Sequence, residues 1–144
     1  MSDESLHVAH SIHDYCKSLK IQRYIHFDII KYKYKGVRVL DFSLHNDEYP
    51  TLRANIGTCA NPGADPRADA FYKVLLSQSS GIQDTFIKNL ARCDSQGHNR
   101  YPLTLNGREQ LICPCSKIRI NPKKDDLEAV LAFITARKAS IDQM

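Results

Sequence analysis

The sequence predicts an α+β fold, an antiparallel sheet of hairpins packed against about four helices in the order α-β-β-(β)-α-α-β-β-(β)-α. Three observations lead there. Residues 21–46, IQRYIHFDIIKYKYKGVRVLDFSLHN, are the richest run of β-branched and aromatic residues and read as two long strands joined at Lys35-Gly36. Asn106-Gly107 lies between two further short apolar runs, a strong hairpin signal. Four other segments repeat apolar residues at helical spacing. Hairpins interrupted by helices point to segregated layers rather than to a parallel sheet.

The elements follow in order. Residues 4–19 predict an amphipathic helix, with Val8, Ile12, Tyr15 and Leu19 toward the core and His7, His10, Asp14 and Lys17 toward water. Gly36 suits the tight turn of the main hairpin because a two-residue loop needs positive φ there. Pairing outward from that turn sets Tyr32 opposite Val39, Asp41 opposite Ile30 and Asp28 opposite Ser43. One face near the tip then carries Tyr32, Tyr34, Val37 and Val39, and the other Lys31, Lys33, Lys35 and Arg38. Residues 46–50 are turn-forming, and residues 51–57 follow as a third antiparallel strand. Asp65 and Pro66 stand at the N-cap and first position of a helix that buries Phe71, Val74 and Leu75. Ser80 and Gln83 have capping-box spacing for the next helix, whose stripe is Ile82, Phe86, Ile87 and Leu90. After the Asn106-Gly107 hairpin, residues 115–120 make a short strand. Asn121-Pro122 then caps a last helix with Leu127, Val130, Leu131 and Ile134 facing inward.

At 144 residues, with no internal repeat or linker, the chain is expected to form a single domain, 1–144, large enough for a core of its own. Apolar residues are 42% and charged residues 25%, which argues against disorder. No run approaches the ~18 apolar residues of a membrane span, so no membrane is expected as partner. The first fifteen residues are acidic and amphipathic, unlike a signal peptide. Five irregularly spaced cysteines do not make a secreted disulfide framework, and the expectation is a cytoplasmic protein with reduced thiols. The order of elements resembles that of the small chaperones of type III secretion systems: a helix, a three-strand meander, a helix, more strands and a final helix. That likeness is one of architecture, without a shared motif, and such chaperones are usually acidic whereas this chain has a formal charge of +4. It implies a homodimer whose hairpin meets a polypeptide.

Several residue groups carry chemistry. Cys93, His98, Cys113 and Cys115 have the spacing C-x4-H-x14-C-x-C, a donor set suited to tetrahedral zinc, although the C-x-C step is shorter than in most zinc sites. His7, His10 and His13 recur every three residues on the first helix, which brings imidazoles together without supplying a third ligand type. Cys59, between a strand and a helix, stands where activated thiols occur but has no histidine in a recognisable local signature. Asp28 and Asp41, diagonal on one sheet face in the expected register, are the candidate catalytic carboxylates of a divalent-metal hydrolase. Arg23, Lys31, Lys33, Lys35 and Arg38 form a cationic strip beside Tyr24, Tyr32 and Tyr34. Cations that track phosphates and rings that stack on bases are the two components of single-stranded nucleic-acid binding.

The functional expectation is a non-catalytic binding module that engages an anionic partner, nucleic acid in the first instance, through the hairpin of residues 29–40. Its rivals are a protein-interaction or chaperone-like homodimer, and a small metal-dependent hydrolase or zinc protein.

Overall fold

The structure, a computed structural model, describes residues 2–27, 29–45, 51–58, 63–91, 97, 100–113 and 116–144. Helix α1 (Asp3–Ser18) opens on Ser2, whose side chain accepts from the Ser5 amide, and buries Val8, Ile12 and Cys16. Four strands follow: β1 (Gln22–His26), β2 (Ile29–Tyr34), β3 (Val37–His45) and β4 (Thr51–Gly57). Helices α2 (Pro66–Leu76) and α3 (Ser80–Asn89) precede the hairpin β5 (Tyr101–Leu105) and β6 (Arg108–Ile112). Strand β7 (Lys117–Ile120), a 3₁₀ turn (Lys124–Asp126) and α4 (Leu127–Ile141) complete the chain.

The sheet is antiparallel throughout, in the order β1-β2-β3-β4-β7, with β5-β6 as a separate two-stranded sheet. The helices and antiparallel strands of the predicted α+β arrangement are all present in the predicted order. The largest departure is the first arm of the main hairpin. Residues 22–34 are not one strand, because the chain reverses after His26 and β1 folds back on β2, with Gln22 opposite Lys33 and His26 opposite Ile29. Phe27 takes a φ of +53° in that reversal, a conformation uncommon for a bulky side chain, so composition alone gave no turn signal there. The expected turns at Lys35-Gly36 and Asn106-Gly107 form, with positive φ at both residues of each pair, as a type I′ loop requires.

A second departure is a bulge. Tyr34 pairs with Val37 and Lys33 with Arg38, but Tyr32 then pairs with Leu40. Val39 is the extra residue, and both Val39 and Leu40 are fully buried. The bulge shifts the phase of β3 by one, so Asp41 lies opposite Lys31 rather than Ile30 and leaves the face that holds Tyr32. The diagonal placement of Asp28 and Asp41 expected from an unbroken register is thereby replaced on the Asp41 side, and Asp28 lies outside the described residues.

The helices cover one face of the sheet. Its rows Leu40–Ile56–Ile118 and Phe42–Ala54–Ile120 are buried and join the core. Helix α4 contacts α1, α2, α3, β3 and β4, which explains why its buried residues (among them Ala129, Val130, Phe133, Ile134 and Ile141) extend beyond a single narrow stripe. Phe71, Tyr72, Phe86 and Phe133 meet tilted or edge-on at 5.0–6.2 Å between α2, α3 and α4. Two helix starts differ from expectation. Helix α3 is capped by Ser79 rather than Ser80, since Gln83 is committed to the Leu76 and Gln78 carbonyls and to the Asn106 amide. The last helix is entered through the 3₁₀ turn, where Asp126 accepts from the Lys123 amide. No helix among the described residues is long and apolar enough to cross a membrane.

Candidate nucleic-acid interface

Strand alternation puts every second residue of the five strands on the face opposite the helices. One row crosses the whole sheet in register: Tyr24, Lys31, Asp41, Asn55, Arg119. At ~4.8 Å between strands it spans ~19 Å. A second row carries Gln22, Lys33 and Arg38, with Gly57 and Lys117 continuing beyond the bulge. A third carries His26, Ile29, Ser43 and Arg53. Six cations therefore share this face: Lys31, Lys33, Arg38, Arg53, Lys117 and Arg119. Among the described residues of these rows the only carboxylate is Asp41.

That carboxylate is engaged on both oxygens. Arg38 donates to Oδ2 and Asn55 Nδ2 donates to Oδ1 at 2.9 Å, while Asn55 Oδ1 accepts from Arg119 Nε at 3.3 Å. Asp41 is 7% exposed, so the buried charge is matched rather than orphaned. Asp41 and Asn55 thus form a relay that holds two guanidiniums, Arg38 and Arg119, at neighbouring places on the face. Beside Arg38 is a cavity of about 170 Å³ that Lys117 and Arg137 also line. Arg137 Nε donates to the Arg38 carbonyl at 3.1 Å, and a Cβ at Gly57 would stand 2.8 Å from that nitrogen, so the glycine leaves room for the arginine to cross the strand. Past β7 the face continues into a wider cleft of about 490 Å³, where Arg53 and Arg119 are joined by Lys88 from α3 and by Lys123, with Asp126, which accepts from the Lys123 amide, as the carboxylate of its described lining.

Aromatic surface lies at the other end. Tyr24 is half exposed under the Lys33 ammonium, 5.5 Å from ring centre to nitrogen. His26 and Phe27 meet edge to face at 4.4 Å, and Phe27 is 88% exposed.

The strip expected from sequence is thus divided. Lys31, Lys33 and Arg38 share the open face. Arg23 does not, because it pairs with Tyr32 in the register and alternation turns it to the helix side. Lys35 does not either. It sits in the turn, where alternation no longer dictates direction, and its ammonium is 3.0 Å from the Asp142 carboxylate just past α4. Tyr32 is buried and its hydroxyl lies 3.1 Å from His13 Nδ1. Burial keeps the ring from stacking on anything outside and pushes the phenol up to about 12. Arg53, Lys117 and Arg119 went unrecognised in the sequence, since they come from strands separated by more than sixty residues and joined only by the β4–β7 pairing. Their one local signal is alternation with apolar neighbours: Arg53 between Leu52 and Ala54, and Lys117 and Arg119 around Ile118.

Of the candidate zinc ligands, Cys93, His98 and Cys115 lie outside the described residues, as does Cys59. Cys113 is buried after β6, with its amide donating to Ser116 Oγ at 3.2 Å. Among the described residues no group of three or more His, Cys, Asp or Glu side chains converges as a metal site. His7 and His10 are exposed on α1, and His13 turns inward to Tyr32. Cys16 is buried in the core, and that burial pushes its thiol up to about 12, far from a reactive thiolate. Comparison with known proteins adds no family: no family model, no curated protein and no solved structure matches this chain.

Proposed function

We propose that the protein is a non-catalytic module that binds single-stranded nucleic acid across the open face of its sheet. The observation that carries this reading is the ratio of charge there: among the described residues of its rows, six cations from four strands against one carboxylate already held by Arg38 and Asn55. Such a surface concentrates a polyanion, and its phosphates would run along Lys31, Lys33, Arg38 and Arg119 toward the cleft at Lys88 and Lys123. Tyr24, His26 and Phe27 offer rings at the opposite end, which suits unpaired bases with exposed π-faces better than a duplex whose bases stack on one another.

The test is fluorescence anisotropy with a labelled single-stranded oligonucleotide and its duplex, at low and at physiological salt. Binding to the single strand is expected, and charge reversal of Arg53 and Arg119 together should weaken it by at least ~10-fold. Lys35→Ala, away from the face, should change it little. No binding at low salt, or equal loss from the face and off-face variants, refutes the proposal.

A second reading rests on a different observation. β1 is an edge strand exposed along its whole length, with Ile25 on it and Phe27 and Ile29 just after it exposed to water. An open edge flanked by apolar side chains suits strand addition by a polypeptide or by a second copy, the chaperone-like alternative. Self-association that persists at ~0.5 M salt, where phosphate contacts largely fail, and that Ile25→Lys abolishes would favour it.

A further inference from the structure

On the helix-covered side of the sheet, coverage stops short of the β1–β2 end. The inward row Ile25–Ile30–Phe42 runs from 67% exposed at Ile25, through half-buried Ile30, to buried Phe42. Helix α1 passes above it and leaves a groove of about 240 Å³. Its apolar lining is Leu6 and Ala9 from the helix, with Ile30, Phe42 and Leu52 from the strands. Its nitrogen-bearing side chains are His10, His13 and Arg23, and among the described residues none of those lining it is a carboxylate. His10 and Arg23 are exposed and so belong to the mouth, while the buried Tyr32 hydroxyl, beside His13, lies deeper.

An apolar body with a cationic, donor-rich mouth is the complement of a small amphipathic acid. We propose that this groove binds an apolar monocarboxylate, with the hydrocarbon against Leu6, Ile30, Phe42 and Leu52 and the carboxylate on the Arg23 guanidinium at the mouth. Size narrows the occupant further. The volume falls below the ~300 Å³ at which drug-sized pockets begin, so it takes one small ligand. It does not take a partner helix, which is ~10 Å across. The site lies on the opposite face from the six cations and does not depend on the nucleic-acid reading.

The experiment is a titration of the full chain with octanoate, octanol and octylammonium, read by amide chemical-shift mapping. Octanoate is expected to shift α1 and the β1–β3 residues on the helix side, with octanol at least about tenfold weaker, the usual scale for losing a charge-assisted hydrogen bond. Octylammonium should not bind. Arg23→Gln should weaken octanoate by about tenfold and leave octanol unchanged. Ala9→Phe, which fills the groove, should abolish both, and a retained amide spectrum will show that this variant folds. Charge reversal at Arg119 should leave octanoate binding intact even if it abolishes oligonucleotide binding, which separates the two sites. Equal binding of octanoate and octanol, no effect of Arg23→Gln, or shifts confined to the open face would overturn the proposal. So would a dimer that octanoate dissociates, since the groove would then belong to a second copy.

Discussion

Asp41 is where the electrostatics of the open face are decided. Its carboxylate satisfies Arg38 and, through Asn55, steadies Arg119, while it lowers the local positive potential. Asp41→Asn keeps the shape and removes the charge. It should destabilise the fold by about 1–3 kcal/mol, because a buried charge-assisted hydrogen bond is lost, and should tighten oligonucleotide binding by a few-fold. A metal-dependent hydrolase would instead lose divalent-dependent cleavage in the same variant, so one substitution separates the two readings. Asp142 offers a residue-level test of pH dependence. Lys35, the Tyr34 hydroxyl (at 2.8 Å) and Lys138 all donate to it and hold its carboxyl at about 2. A folded-state value below the ordinary ~3.9 means stability that is present above that value and lost as pH falls toward 2. Urea unfolding at about pH 5 and about pH 2.5 should show a loss of roughly 1 kcal/mol through this group, kept small by its partial exposure, and Asp142→Asn should remove that part of the acid dependence.

At the scale of elements, the two type I′ turns hold the hairpins to their registers. Gly36 and Gly107 have φ of +76° and +74°, and no atom lies within 4 Å of a Cβ built at either position. Gly107→Ala should therefore cost ~1–2 kcal/mol from backbone conformation alone, measurable by thermal or urea unfolding. The β5–β6 hairpin is also docked through its turn, since Asn106 Nδ2 and Arg108 both donate to Asp84 on α3 and lower that carboxyl. The bulge at Val39 has the widest consequence of any local feature. It buries two consecutive side chains and brings Arg38 and Asp41 to the same face, so one extra residue in β3 creates the salt bridge on which the open face is built.

For the whole molecule, the decisive feature is the return of β7 to β4 after two helices and a separate hairpin. It widens a basic hairpin into a basic sheet. Oligonucleotide binding spread over four to six phosphates should then fall with salt at a log–log slope of roughly −3 to −4, where a contact confined to the Lys31–Lys33–Arg38 tip would give about −2. Helix α4 works at the same scale from the other side: by packing against both the sheet and α2 it covers one face while the polar register leaves the other open.

The sequence by itself determined the fold class, the order of helices and strands, the Asp65–Pro66 helix start and the two glycine turns. Those depend on local periodicity, capping and positive-φ preference, which a short stretch of chain carries within itself. It also marked Lys31, Lys33 and Arg38 as neighbours, because they flank one tight turn. The tertiary structure alone decided that β1 folds back, that β3 bulges, and that Arg23 and Lys35 leave the strip while Arg53, Lys117 and Arg119 join it. The physical reason is that a strand's partner and register are chosen by which faces can be buried across the whole sheet. A one-residue shift moves every side chain beyond it to the other face.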